Sequence, residues 1–293
     1  MKRFFLKFIP ILLLLTLVLC ASACDTNKFW GYVTGEGIGS FDGEEDNSGL
    51  VYNQGTIEGA NNSLADTIEE ILPSVVDVTC TATYVPLYGK SWLMETRGSG
   101  VIIDEDEEYL YILGSYQTMY FPETAVGQNR QLYNLSGVHA RVTFMDGEDC
   151  TATFLKFIPS ADTGLIRVTK SDVTSDYAVA TVPTTWALEE GDEIIAISNP
   201  LGVLGGTVTT GIVSAEREMQ LNEYVTMEVL QTDAELTVNS GGILFTKSGR
   251  FVGVVYAKAV GEGIEGLNFA IPADNILEAY HTEGILEGIV IGE

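Results

Sequence analysis

The chain has 293 residues, 46% of them apolar, and its 41 acidic against 15 basic side chains give a net charge of −26. A surface this acidic excludes binding to nucleic acid or to anionic head groups by overall charge, and it leaves cationic or neutral partners open. With about 60 residues set aside for targeting and tethering, the remainder suffices for one large all-β domain or two small barrels.

The first segment is an address. Lys2, Arg3 and Lys7 form a positive n-region, Phe8 to Leu19 an apolar stretch, and Ala21-Ser22-Ala23 a small-residue run before Cys24. That stretch is short for a membrane span and no stop-transfer pattern follows it. Small residues directly before a cysteine resemble a bacterial lipobox, although Ala21 stands where leucine is usual. The resemblance implies a signal peptide over 1–23, lipidation of Cys24 and an extracytoplasmic chain lipid-anchored to the cell membrane. Residues 24–63, rich in Gly, Asn, Asp and Glu, read as a flexible acidic tether with an r.m.s. reach of roughly 35 Å.

A short helix is expected over Leu64 to Leu72, capped by Asn62 or Ser63. From Val75 onward the pattern is β. Strands are expected at Val75–Cys80, Val138–Met145, Thr151–Phe157 and Leu165–Val168, bounded by Gly, Asp and Pro. After the polar stretch Thr169–Asp176 the texture resumes at Glu193–Ile197, Thr207–Val213, Tyr224–Gln231, Gly241–Phe245, Phe251–Ala257 and Leu267–Ile271. Helix signals return at Pro272–Tyr280. Many short strands in two runs fit two packed antiparallel barrels, the first over about 71–170 and the second over about 178–272. The domain as a whole covers 64–283.

Cys80 and Cys150 are the two cysteines of the domain. Both precede Thr-Ala-Thr in strand-like runs, so they could pair or could be buried free thiols. No CxxC or Cys/His cluster marks a metal site, and no cofactor is implied.

Six segments in order carry the chemistry: GSGVIID (Gly98 to Asp104), ADTGLIRV (Ala161 to Val168), AISNPLG (Ala196 to Gly202), VTTGIVSAERE (Val208 to Glu218), QTDAELTVNSGG (Gln231 to Gly242) and NFAIP (Asn268 to Pro272). Together they resemble the HtrA (DegP-like) branch of the trypsin-like serine proteases, from about Ile71 to the C-terminus. The resemblance implies an all-β, trypsin-like double β-barrel with short N- and C-terminal helices. It also implies a catalytic triad in which a serine attacks a peptide carbonyl, a histidine shuttles its proton, and an aspartate orients the histidine. Ser240 of NSGG matches the nucleophile and Asp162 the aspartate. The histidine should follow the strand Tyr109–Leu113 in a Thr-Asn-x-His pattern. The chain reads Gly114-Ser115-Tyr116-Gln117 instead, with Gln117 at the histidine position and no histidine between Met1 and Val138.

A glutamine can hydrogen-bond to Asp162 but has no nitrogen that titrates near neutrality, so it cannot serve as base and then acid. Losing the histidine of a serine protease costs on the order of 10⁶ in turnover. The oxyanion loop departs from the family as well. Val238-Asn239-Ser240-Gly241-Gly242 replaces Gly-Asn-Ser-Gly-Gly, and a β-branched valine disfavours backbone conformations open to glycine. His139, at the head of VHARVTFMDG, is the other candidate base in barrel one, and His281 falls in the C-terminal helix.

The function expected is therefore an extracytoplasmic pseudoprotease that binds extended peptide or unfolded protein. The alternative is an active serine endopeptidase of envelope protein quality control using Ser240, and a purely structural platform is a third reading. HtrA relatives also imply a possible homo-oligomer and a peptide-binding PDZ domain. Residues 284–293 resemble the linker leading to such a domain, and the chain stops there.

Overall fold

The computed structural model describes residues 63–127, 130–183, 188–220, 226–236, 241–258 and 266–282, all belonging to a single compact unit. The expected signal, Cys24 and the tether lie outside them.

Helix α1 (Leu64–Ile71) opens with a capping box. Ser63 Oγ accepts from the Asp66 N–H while the Asp66 carboxylate accepts from the Ser63 N–H, at 3.2 and 2.9 Å. Pro73, inside a 3₁₀ turn over Leu72–Ser74, ends it. Six strands then close the first barrel: β1 (Val75–Pro86), β2 (Trp92–Glu105), β3 (Tyr109–Ser115), β5 (Leu132–Thr143), β6 (Asp149–Ile158) and β7 (Thr163–Thr169). Their order is β1-β2-β3-β7-β6-β5, sealed by β1 pairing with β5, and short β4 (Thr124–Val126) adds to β5 outside the ring. The second closed barrel has the order β10-β13-β12-β11-β8-β9. It is built from β8 (Glu193–Ser198), β9 (Thr207–Gln220), β10 (Thr226–Thr232), β11 (Gly242–Thr246), β12 (Phe251–Lys258) and β13 (Asn268–Pro272). Two further helices complete the chain, one-turn α2 (Tyr116–Met119) after β3 and α3 (Ala273–Thr282) after β13.

The pattern of each strand tells which barrel wall it forms. On β5, Ala140 and Val142 point inward while His139 and Arg141 are exposed, so one face is wet and the sequence alternates. Val101-Ile102-Ile103, Leu110 to Leu113, Ile194 to Ile197 and Ile243 to Phe245 run apolar without a break. Their residues divide between two cores. Ile102, Leu110 and Ile112 fill barrel one, and Ile194, Ala196 and Leu244 fill barrel two. Val101, Ile103, Leu113, Ile195, Ile197, Ile243 and Phe245 form a third core between the barrels, closed by Ile276, Leu277 and Tyr280 of α3. Phe245 and Phe251 meet there edge to face with centroids 6.3 Å apart. Each large side chain so buried contributes about 2 kcal/mol. This inter-barrel core holds the two barrels in one fixed relation.

The crossing segment is also pinned to both. The Ala180 N–H donates to Ile102 of β2, and Thr181 accepts from the Phe251 N–H of β12, each at 2.8 Å.

Cys80 and Cys150 are buried free thiols in the barrel-one core. Cys80 pairs across to Ala140 and Cys150 to Val142, so β5 lies between them. Two strand spacings and a two-residue offset along β5 put their Cα atoms roughly 10–12 Å apart, beyond the ~7 Å that a disulfide spans.

Candidate active site between the barrels

Gln117 and Asp162 are 45 residues apart in sequence and meet because β3 and β7 are antiparallel neighbours. The ladder runs to its last pair at Gly114↔Gly164 and Ser115↔Thr163. Gln117 is then two residues beyond one strand end and Asp162 one residue before the other. Local chemistry fixes both. Pro159–Ala161 form a 3₁₀ turn whose C-cap, Asp162, takes the left-handed conformation at φ 44°. Asp162 is one of two non-glycine residues with positive φ among those described, a conformation aspartate tolerates better than most. Its carbonyl accepts the Tyr116 N–H at 2.8 Å, tying the start of α2 to the start of β7.

Ser115 is the hinge of the arrangement. Its hydroxyl oxygen caps α2 by accepting the Gln117 N–H at 3.2 Å, and its O–H donates to Asp162 Oδ2 at 3.2 Å. The Gln117 side chain also hydrogen-bonds the Asp162 carboxyl. Gln117 itself is exposed whereas Asp162 is buried. Burial pushes the Asp162 carboxyl up to about 8, against the pull of the Ser115 and Gln117 hydrogen bonds. Two neutral donors do not replace the hydration that burial removes, so the environment favours the neutral acid. From barrel two, Tyr256 of β12 lies within electrostatic reach of this carboxyl. Its phenol is pushed up to about 12 by burial and by the field of Asp162.

The chain that carries the serine motif arrives at the same place. Gly241, the residue after Ser240, accepts the Ser99 N–H of β2 at 3.2 Å. Its φ of +47° and the 3.1 Å gap from a built Cβ to Ser99 N require glycine. Gly98, next along β2, receives Thr118 of α2 so closely that a Cβ there would fall 2.5 Å from Thr118 Oγ1. GSG of β2, α2 with Gln117, and the strand following Ser240 thus share one corner between the barrels. Ser240, Asn239 and Val238 lie outside the described residues.

The two histidines stand apart from this corner. His139 is exposed on β5, and β6 separates β5 from β7. His281 is exposed in the last turn of α3. Asn199, at the expected turn, accepts the Leu204 N–H at 3.0 Å and holds Asp77 of β1. Arg97 donates to Gly202 of that turn at 2.7 Å, so the turn ties β2 of barrel one to barrel two. Among the described residues no group of three or more His, Cys, Asp or Glu side chains could hold a metal ion. Sequence reasoning missed Ser115 and Tyr256. A serine two residues before Gln117 is the signature of a capped turn and could have been read as such. Nothing in the sequence marks Tyr256.

Comparison with known proteins agrees with this architecture. Residues 98–254 match the trypsin-like peptidase domain, and the chain belongs to that family. Its sequence is 31% identical over 237 residues to the serine protease Do-like HtrB of Bacillus subtilis (strain 168), covering 75% of this chain and 46% of that protein. It is 33% identical over 181 residues to the periplasmic serine endoprotease DegP of Escherichia coli (strain K12), covering 61% and 34%. The chain thus spans about half, or less, of the length of these relatives. Among solved structures, the HtrA-type protease AlgW with decapeptide superposes with a TM-score of 0.58 at 25% identity, covering 78% of this chain and 69% of that one. The same protease with tripeptide gives 0.57 over 77% and 64%.

Proposed function

We propose that this chain is an HtrA-like, trypsin-fold protein of the cell envelope that binds extended polypeptide and is impaired as a protease. The observation that carries the reading is the Gln117–Asp162 contact. A neutral amide stands beside the buried carboxyl where the family places its imidazole, and no histidine of the described barrels reaches that carboxyl. A triad needs a group that takes the serine proton and then gives it up, stabilised as a cation by an ionised aspartate. Here the amide cannot take the proton, and burial disfavours the ionised form of the aspartate. Val238 in the oxyanion loop adds a second defect on the sequence reading.

The peptide-binding part rests on β12. Its pairing with β11 begins at Ile243↔Val254, so Val255 to Lys258 run past the end of β11 with β13 on their other side. No described strand pairs with that free edge. A register shift between Val255 and Ala257 turns the backbone there beside Tyr256. Such an edge can accept an added strand, with backbone hydrogen bonds supplying affinity and no triad needed. The solved peptide complexes of AlgW and the periplasmic location in the name of DegP support a peptide ligand and an extracytoplasmic setting. Cys24 supplies the anchor to the membrane in this reading, and homo-oligomers are open to it as they are to its relatives. Among the described residues no helix is long and apolar enough to cross a membrane.

Labelling by a fluorophosphonate probe and binding of a fluorescent unfolded polypeptide test the two halves separately. The expected result is saturable polypeptide binding that survives Ser240→Ala, with no labelling at Ser240. Labelling that Ser240→Ala abolishes would instead establish an active serine endopeptidase. Absence of polypeptide binding would remove the cleft reading.

A further inference from the structure

The tip of the β1–β2 hairpin is built unlike the rest of this acidic surface. Residues 87–93, Leu-Tyr-Gly-Lys-Ser-Trp-Leu, are all exposed, and Leu87, Tyr88 and Leu93 are 80%, 87% and 63% exposed. A second exposed apolar pair lies alongside. Val126 of β4 and Leu132 of β5 face each other directly in register, 47% and 49% exposed. The two loops form one surface rather than two. Pro86 pairs with Tyr133, Gln131 Nε2 donates to the Tyr88 carbonyl at 2.6 Å, and the Trp92 ring lies 6.0 Å from that of Tyr133 and 5.7 Å from that of Tyr84.

Charge is distributed in the opposite sense to the whole chain. Acids outnumber bases 41 to 15 overall, yet no acid occurs from Tyr84 to Met94 or from Ala125 to Ser136, where Lys90 and Arg130 stand exposed. Of the flanking acids, Glu95 is paired with Arg97 at 2.7 Å. An exposed cluster of leucine, valine, tyrosine and tryptophan with only positive charges among them is the composition that enters a bilayer interface. Aromatic rings sit at head-group depth, aliphatic side chains reach below, and Lys and Arg meet anionic phosphates.

From this juxtaposition we infer that the β1–β2 tip, with the β4–β5 turn, docks the barrel-one end of the protein onto an anionic lipid surface. The contact is independent of lipidation at Cys24. It would fix how the domain is oriented on a membrane. A second copy of the chain is the competing occupant. It would bring Lys90 and Arg130 against their own equivalents in a symmetric contact, whereas an anionic surface complements both.

Trp92 gives a readout specific to the tip. In the full chain carrying Trp30→Phe and Trp186→Phe, Trp92 is the sole indole, because the chain has three tryptophans. Vesicles of phosphatidylglycerol should shift its emission to the blue, and brominated acyl chains should quench it. Lys90→Glu with Arg130→Glu, both exposed positions, should weaken this response on the order of tenfold to a hundredfold while leaving the circular dichroism spectrum unchanged. Vesicle-bound protein whose indole is neither shifted nor quenched would overturn the inference, since binding would then come from elsewhere in the chain. An equal response to neutral phosphatidylcholine would overturn the charge complementarity. A shift that grows with protein concentration without vesicles would assign the tip to a second copy.

Discussion

Glu148 and Asp162 are carboxylates of the same barrel, each hydrogen-bonded, and they are driven in opposite directions. Glu148, at the β5–β6 turn, accepts the Thr174 and Ser175 N–H groups at 2.9 and 2.7 Å and both their hydroxyls at 2.6 Å. Led by the Ser175 and Thr174 side chains, these bonds pull its carboxyl down to about 2. Asp162 receives Ser115 and Gln117, but burial outweighs them and carries it to about 8. Hydrogen-bond donors suffice where water still solvates the charge. In a dry inter-barrel corner, an ionised carboxylate needs a cation, and Gln117 does not supply one. On the proposed reading, an amide in place of an imidazole removes the proton shuttle and also the charge that would keep the aspartate ionised.

The contrast has a sign in pH. The folded-state value of Asp162 is raised, so its contribution to stability is complete below the ordinary value of 3.8, declines as pH rises, and is lost above about 8. Asp77 and Asp104, each pushed up to about 6 by burial, act in the same sense over a narrower window. Glu148 acts oppositely, with stability present above 4.5 and lost as pH falls toward about 2.

The largest effect expected is from Asp162→Asn, which keeps the shape and tolerates the left-handed backbone. It should raise unfolding free energy at pH 9 by a few kcal/mol, at ~1.4 kcal/mol per pKa unit, and flatten the fall between pH 4 and 9 measured by denaturant titration. Gln117→His sharpens the same point from the other side. An imidazolium beside Asp162 should pull the carboxyl back toward the ordinary range, shrinking that fall with Asp162 still present, as the same titration would show. Ser115→Ala removes one donor and the α2 cap and should cost about 1 kcal/mol, with the Asp162 transition moved to higher pH. Glu148→Gln should have the smallest effect. It should remove the acid-side loss below pH 4.5 together with the stability the ionised carboxylate supplies above it, leaving the curve above pH 7 lower than, but nearly parallel to, that of the parent chain.

Much of this fold is legible in the sequence for a physical reason. Unbroken apolar runs such as Ile194 to Ile197 mark strands buried on both faces, and alternating runs such as Val138 to Thr143 mark strands with one wet face. The capping box at Ser63 and Asp66 is likewise local. The outward reach of β1 and β2 to Pro86 and Trp92 was not legible, since Leu87 to Leu93 lacks alternation and reads as a loop. Strand β4 is three residues long and carries no period to read. Of the site, motif order alone singles out Gln117 and Asp162, and the structure brings these two side chains together. That Ser115 bridges them, and that Tyr256 of barrel two feels the field of Asp162, depends on long-range packing that no local pattern encodes.

The proposed loss of the base is tested most directly by hydrolysis of a fluorescent unfolded-protein substrate, comparing the chain with its Ser240→Ala variant. The account predicts equal, background rates for the two at every pH between 5 and 9. Turnover that Ser240→Ala abolishes would contradict it, because a group other than Gln117 would then be moving the serine proton.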